Sequence, residues 1–263
     1  MVPVALTIAG SDPSGGAGIQ ADLKTFHQFG VYGEAVITLL TVQNTVRVSR
    51  VELLDAAFVM EQLEAVLEDI PPQAAKTGAL GSVALVRAIA RAAGRFPFPL
   101  VVDPVMISKH GAPLMASEAM AALRDELLPL AALITPNLHE AAALTGLRVE
   151  SLDDARRAAE ALRSMGAKAV LVKGGHLADS ATDVLFDGFA WHQFDAKRVD
   201  TVHTHGTGCT YSAAIVAGLA TGLPLADAVR RAKAFIAGAI ATNPGLGRGS
   251  GPVNHHQEAL QKV

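Results

Sequence analysis

The chain has 263 residues, 50% of them hydrophobic, and a formal net charge of −3. This size and composition allow one large buried core, and α/β folds of this length commonly form one unit, so we expect a single domain over residues 1–263. The small net charge and the absence of long runs of like charge argue against a nucleic-acid-binding or membrane-surface protein.

Cys209 is the only cysteine, which excludes an intrachain disulfide and a zinc site built from cysteines. The first apolar run lacks a preceding basic segment and ends at Ser11 and Asp12, so it predicts a buried strand and not a signal peptide. No apolar run approaches membrane-spanning length. We therefore expect a protein of a reducing compartment, the cytoplasm.

Short apolar runs alternate with amphipathic segments along the chain. The apolar runs predict strands at residues 4–9, 35–42, 74–77, 100–102, 133–135, 169–173, 184–186 and 191–194. Helical spacing and capping signals predict helices near residues 17–29, 55–70, 82–95, 151–165, 208–221 and 225–241. This order predicts an α/β fold, in which a mostly parallel central sheet lies between two helical layers.

Polar residues and glycines follow most of the apolar runs, at the predicted strand ends. In parallel sheets, ligands bind at the carboxyl ends of the strands, so these residues are candidates for a site. They include Gly10, Asp12, Gln43, Asp103, Asn137, Lys173 and His205.

The segment THGTGCT, residues 204–210, leads directly into a predicted helix. Its glycines and the helix N-terminus would present backbone N–H groups to an anion, such as a phosphoryl group in transfer. A glycine-rich turn with a threonine cap would give the same pattern. Cys209 stands at the helix start, where the pKa of a thiol is expected to fall.

Three other segments allow a functional and an ordinary reading. Residues 11–22 do not fit a dinucleotide-binding turn, because the glycine spacing differs and no acidic residue ends the next strand; a P-loop is absent because no Gly-Lys-Ser/Thr occurs in the chain. Asn137 and Glu140 can hold magnesium near phosphates, or they can cap a helix. Lys173, at a strand end beside two glycines, can contact a phosphate or lie in solvent at a turn.

Seven segments, spread in order over almost the whole chain, resemble the hydroxymethylpyrimidine/phosphomethylpyrimidine kinases of thiamine biosynthesis, in the ribokinase-like superfamily. They are ALTIAGSDPSGGAGIQADLKT (5–25), QNT (43–45), KTGAL (76–80), VVDPVM (101–106), TPNLHE (135–140), VLVKGGHL (170–177) and THGTGCT (204–210). The resemblance implies a ribokinase-like fold, ATP and Mg²⁺ as cofactors, phosphorylation of hydroxymethylpyrimidine and its monophosphate, and a homodimer.

The resemblance also implies roles for individual residues. Gln43 would read the aminopyrimidine edge, and the residues lining the same pocket would be Gly10, Asp22 and Val105. The anion hole would be formed by Gly206, Thr207 and Gly208. Lys173 would contact the nucleotide phosphates, and magnesium with its phosphate-bound water would be organised by Asn137 and Glu140, with Asp103 near the metal.

Cys209 occupies the position that is aspartate in the sugar kinases of the superfamily, which directs the prediction away from sugars. Our hypothesis is that Cys209 accepts the hydroxymethyl proton late, while backbone N–H groups supply most of the stabilisation. This requires the helix dipole and nearby cations to lower the pKa of the thiol.

Two alternatives stay open: a pyridoxine, pyridoxal or pyridoxamine kinase of the same fold, and a non-catalytic pyrimidine-binding sensor. His110 and Tyr211 depart from the family pattern near the predicted site, which leaves the fine substrate preference undecided.

Overall fold

The structure is a computed structural model that describes residues 2–107, 111, 113–175 and 181–259. Within these residues nine strands form one sheet: β1 (Val4–Ser11), β2 (Tyr32–Gln43), β3 (Val48–Leu53), β4 (Ala74–Thr77), β5 (Leu100–Val102), β6 (Leu133–Ile134), β7 (Val170–Val172), β8 (Asp183–Phe186) and β9 (Trp191–Phe194). Their order is β3-β2-β1-β4-β5-β6-β7-β8-β9. The run from β2 to β7 is parallel, and β3, β8 and β9 pair antiparallel. The predicted mostly parallel sheet is confirmed.

The helices of the described residues lie between the strands in the chain. They are α1 (Gly18–Gln28), α2 (Ala56–Asp69), α3 (Val83–Ala93), α4 (Ser117–Ala122), α5 (Leu138–Thr145), α6 (Leu152–Ser164), α7 (Thr207–Ala220) and α8 (Leu225–Ala241). A π-helical turn and a short 3₁₀ turn extend α4 to Leu130. None of the described helices combines the length and apolar character needed to span a membrane.

Two hydrophobic clusters cover the two faces of the sheet. Because side chains alternate along a strand, Leu6 and Ile8 of β1 point to the cluster formed with α2, α3, α5 and α6. Ala5 points to the opposite cluster, formed with α1, α7 and α8. The predicted three-layer α/β/α arrangement is therefore confirmed.

Most predicted elements are present with bounds shifted by a few residues, and the predicted capping box of Ser151 with Asp154 opens α6. Strand β3 and helix α4 were not predicted. Strand β3 has the sequence VSRVEL, which does not alternate strictly, and none of its residues is buried. Its position is set by the hairpin with β2, in which the Asn44 side chain accepts hydrogen bonds from the N–H groups of Val46 and Arg47.

Helix α7 lies close to α8 because position 218 is a glycine. A Cβ atom at Gly218 would lie 2.9 Å from Cβ of Ala228 and 3.1 Å from its Cα. On α8, a Cβ atom at Gly238 would meet only the side-chain end of Gln257, at 2.8 Å. The first contact involves a fixed backbone, whereas the second involves a side chain that can move.

We expect Gly218→Ala to lower the free energy of unfolding by about 1–3 kcal/mol, because the overpacking of two helices exceeds the gain in helix propensity. The matched control Gly238→Ala should change it by less than about 1 kcal/mol. Urea unfolding of both variants measures the difference. Equal effects of the two substitutions would contradict the close-packing argument.

Candidate active site

The carboxyl ends of the parallel strands meet the N-terminus of α7. Asp103 follows β5, Asn137 follows β6 and Lys173 follows β7, and the backbones of Asn137 and Lys173 pair in an isolated parallel bridge. Cys209 lies in the first turn of α7. The predicted strand-end residues therefore lie together at the carboxyl edge of the sheet.

Asp103 is buried, and both of its carboxylate oxygens accept hydrogen bonds. Lys173 Nζ, at 2.9 Å, and Thr135 Oγ1, at 3.1 Å, donate to Oδ1. Ser212 Oγ donates to Oδ2 at 3.1 Å. Burial raises the pKa of Asp103, but Lys173 and Lys76 outweigh it and hold that pKa below its usual value. Asp103 is therefore an ion that joins β5, β6, β7 and α7.

Lys173 faces the first turn of α7. A Cβ atom at Gly208 would lie 3.4 Å from Lys173 Nζ and 3.8 Å from Asp103 Oδ2. Burial lowers the pKa of Lys173, but the charges of Asp103 and Glu140 more than offset it, so the net shift is upward and the side chain is an ammonium. A cation and a helix N-terminus thus converge on one point, an arrangement suited to an anion.

Asn137 and Glu140 form a capping box at the start of α5. The Asn137 side chain accepts from the N–H of Glu140 at 2.9 Å, and Glu140 Oε2 accepts from the N–H of Asn137 at 2.8 Å. Burial raises the pKa of Glu140 to about 7; Lys173 opposes this shift and Asp103 adds to it. Asn137 and Glu140 therefore cap the helix, as the ordinary interpretation predicts. The Glu140 carboxyl group changes its charge near neutral pH.

The expectation of a lowered pKa at Cys209 is wrong. Burial raises the pKa of the thiol to about 11; Lys76 opposes this shift, while Asp22 and Asp103 add to it. Burial and two carboxylates thus outweigh the lowering effects of Lys76 and of a backbone hydrogen bond with Gly18. Near neutral pH, Cys209 is a protonated thiol.

The loop before α7 packs against the loop after β1. Gly206 has φ of 79°, and a Cβ atom there would lie 1.7 Å from the carbonyl oxygen of Gly16. A Cβ atom at Gly16 would in turn lie 2.5 Å from Cδ2 of His205. Thr207 Oγ1 donates to the Thr204 carbonyl at 2.7 Å and closes the turn. Only glycine fits both contact positions, so the two loops fix each other's backbone.

Gln43, Asp12 and His205 form a second polar cluster. His205 Nε2 lies 2.7 Å from Asp12 Oδ2 and 3.0 Å from Gln43 Nε2. Asp12 also accepts from the backbone N–H of Ser14, at 2.9 Å, and of Ala17, at 3.0 Å. Sequence reasoning gave Asp12 and His205 no individual role, although both stand at strand-end positions. The structure places them beside Gln43, the residue expected to read the pyrimidine.

The other residues expected to line the pocket differ in their surroundings. A Cβ atom at Gly10 would lie 2.6 Å from Cδ1 of Leu39, so glycine is needed there for packing. Val105 is half-buried, two residues after Asp103.

Tyr211 is buried among the side chains of α1, α7 and α8 and does not lie at the mouth of the site. His110 lies outside the described residues.

Asp22 is completely buried behind the first turn of α7. Its Oδ2 accepts from Thr7 Oγ1 at 2.6 Å, and its Oδ1 accepts from Lys76 Nζ at 2.8 Å. This placement does not support the expected direct contact of Asp22 with a substrate. Lys76 was not predicted as a site residue, although a lysine within a four-residue buried strand is an unusual feature.

A family model described as phosphomethylpyrimidine kinase matches residues 12–254. The chain belongs to this family. It is 51% identical over 260 residues to the hydroxymethylpyrimidine/phosphomethylpyrimidine kinase of Rhizobium meliloti, covering 97% of each chain. The predicted family is therefore confirmed.

Solved structures of two similar kinases have the same fold. A phosphomethylpyrimidine kinase from Clostridium difficile is 44% identical, with a TM-score of 0.79, and the match covers 89% of this chain and 97% of that one. The pyridoxal kinase of Staphylococcus aureus, in complex with AMP-PCP and pyridoxal, is 37% identical, with a TM-score of 0.89 and coverage of 98% and 95%. The predicted ribokinase-like fold is confirmed.

We expect Glu140→Gln to raise the melting temperature at pH 8 but not near pH 4.5. The pKa of Glu140 is raised from 4.5 to about 7 in the folded protein, so between these values the folded protein keeps a proton that the unfolded chain loses. The free energy of unfolding from this group therefore falls as the pH rises through that window. Glutamine avoids this loss and can still accept the Asn137 hydrogen bond.

Thermal unfolding at pH 4.5, 6 and 8 tests this expectation. If the melting temperatures of the variant and the unsubstituted protein differed by the same amount at all three pH values, the expectation would be contradicted.

Proposed function

We propose that this chain transfers the γ-phosphoryl group of ATP to the hydroxymethyl oxygen of 4-amino-5-hydroxymethyl-2-methylpyrimidine. We further propose that it then phosphorylates the monophosphate to the diphosphate, in thiamine biosynthesis. The names of its relatives support this function, and the AMP-PCP complex of the related pyridoxal kinase supports ATP as the donor.

The observation that carries the proposal is the convergence of Lys173 and the first turn of α7 at Gly208. Phosphoryl transfer depends mainly on positioning and on stabilising the charge of the transferred group. Lys173 supplies a fixed ammonium, and Gly206, Thr207 and Gly208 supply backbone N–H groups at the helix N-terminus. The ion pair with Asp103 holds that ammonium in place before a nucleotide binds.

In the transfer step, a bond forms between the hydroxymethyl oxygen and the γ-phosphorus. The bond from that phosphorus to the β–γ bridging oxygen breaks, and its electron pair leaves with ADP. Because the Cys209 thiol is protonated near neutral pH, it is not a ready base. We propose that Cys209 positions the hydroxymethyl group and that the hydroxyl proton passes to an oxygen of the transferred phosphoryl group.

Magnesium fits one of the two predicted carboxylates better than the other. Both oxygens of Asp103 are already occupied by Lys173, Thr135 and Ser212, which does not support direct metal binding there. Glu140 uses only Oε2 in its capping box, which leaves Oε1 for a metal-bound water. Mg²⁺ commonly binds through few carboxylates together with water and substrate phosphates, so we propose Asn137 and Glu140 as its protein surroundings.

Domain organisation, oligomeric state and cellular compartment complete the proposal. The strands of one sheet extend from Val4 to Phe194, which supports a single domain over residues 1–263. We propose that this domain acts as a homodimer in the cytoplasm.

The unsubstituted protein should release ADP only when hydroxymethylpyrimidine or its monophosphate is added to ATP and Mg²⁺. Mass spectrometry of the products should show both the monophosphate and the diphosphate. Pyridoxal is the comparison substrate, because the related pyridoxal kinase of Staphylococcus aureus binds it. A higher kcat/KM for pyridoxal would favour a pyridoxal kinase, and pyrimidine binding without ADP release would favour a sensor.

We expect Cys209→Ala to lower kcat about 10- to 100-fold with little change in ATP affinity, because it removes the group that positions the acceptor. Cys209→Ser should keep more of the activity, since a hydroxyl can form a similar hydrogen bond although its pKa is far too high for a base. Steady-state kinetics and nucleotide titration of both variants provide the measurement. If serine and alanine were equally damaging, positioning by hydrogen bonding would be the wrong role.

A further inference from the structure

Lys76 is a buried cation directly beneath the first turn of α7. It lies in β4, and neither its side chain nor that of Asp22 has any exposed surface. Its Nζ donates to Asp22 Oδ1 at 2.8 Å and to the carbonyl oxygen of Cys209 at 3.4 Å. One ammonium therefore connects a central strand, helix α1 and the turn that carries the anion hole.

Hydrophobic packing does not explain a lysine at this position. Burying an ion pair is costly, and an apolar pair of similar volume is often as stable or more stable. The acidic groups that face Lys76 are Asp22 from α1, Cys209 from α7 and Asp103 from the end of β5. Burial lowers the pKa of Lys76, but the charge of Asp22, together with that of Asp103, outweighs it, so the net shift is upward and the side chain remains charged.

We propose that Lys76 is a positioning residue for phosphoryl transfer: its ammonium holds the first turn of α7 through the Cys209 carbonyl and places positive charge behind the anion hole. This inference rests on the proposed kinase function. Lys173 Nζ lies near the same turn at Gly208, so two ammonium groups approach the turn that carries the anion hole. Both ammonium groups would then stabilise negative charge that develops on the transferred group.

Asp22 and Thr7 have a supporting role in this arrangement. Asp22 compensates the buried ammonium, and Thr7 Oγ1 fixes the second carboxylate oxygen at 2.6 Å. Lys76→Met alone would leave Asp22 buried and unpaired, and the protein would be strongly destabilised. The informative variant is therefore the double substitution Lys76→Met with Asp22→Asn, which removes both charges and keeps the volumes similar.

The double variant should fold, keep its KM for ATP within about threefold and lose about 10- to 100-fold in kcat, because charge behind the anion hole acts mainly on the transition state. Thr7→Val is the matched control. It disturbs the same carboxylate but leaves both charges, so its kcat should stay within about twofold even if its melting temperature falls. A kcat of the double variant within about twofold of the unsubstituted protein would overturn the proposal, as would an equal loss in Thr7→Val.

Alkylation by iodoacetamide gives a second readout that needs no substrate. Cys209 is the only cysteine of the chain and is partly exposed, so the modification reports on one thiol. Lys76 lowers the pKa of this thiol more than Asp22 raises it. Alkylation of the double variant at pH 9 should therefore be slower.

An unchanged alkylation rate would overturn the placement of the Lys76 charge at this turn. The two proposals fail separately. An unsubstituted protein that does not phosphorylate the pyrimidine would overturn the proposed function, while the alkylation comparison would still decide whether the charge of Lys76 acts at Cys209.

Discussion

The ion pair between Lys173 and Asp103 is the contact on which the candidate site depends. It joins the ends of β5 and β7, and Thr135 and Ser212 attach β6 and α7 to the same carboxylate. Removing one partner of such a buried pair typically costs about 3–5 kcal/mol, because the remaining charge is left uncompensated. The pair thus fixes the relative positions of three strands and one helix and also keeps an ammonium available for an anion.

Around this pair, further acidic and basic groups lie close to one another near the carboxyl edge of the sheet. Asp22 contacts Lys76, Asp103 contacts Lys173, and Glu140 lies close enough to Lys173 to raise its pKa. With Glu140 protonated, two carboxylates face two ammonium groups. Burial is the largest cause of the raised pKa of Glu140; Lys173 opposes the shift and Asp103 adds to it, so this pKa depends on the neighbouring charges as well as on burial.

The sequence predicted the edge of the sheet but not these pairings. Asp103, Asn137 and Lys173 were found because each follows an apolar run, and parallel strands bring such positions together. Lys76 and Asp22 are 54 residues apart, and His205 and Asp12 are 193 apart, with no periodic pattern that connects them. The pKa of Cys209 was predicted in the wrong direction because the helix start is visible in the sequence, whereas the nearby carboxylates and the burial are not.

The protonated state of Cys209 explains why a thiol is suited to this position. A carboxylate at position 209 would add a third negative charge beside Asp22 and Asp103, where the described residues place the two ammonium groups of Lys76 and Lys173. A neutral thiol avoids that repulsion, so the ion pairs of Lys76 with Asp22 and of Lys173 with Asp103 stay balanced. Since a loose transition state gains little from a strong base, the loss of basicity has little consequence for a phosphoryl transfer.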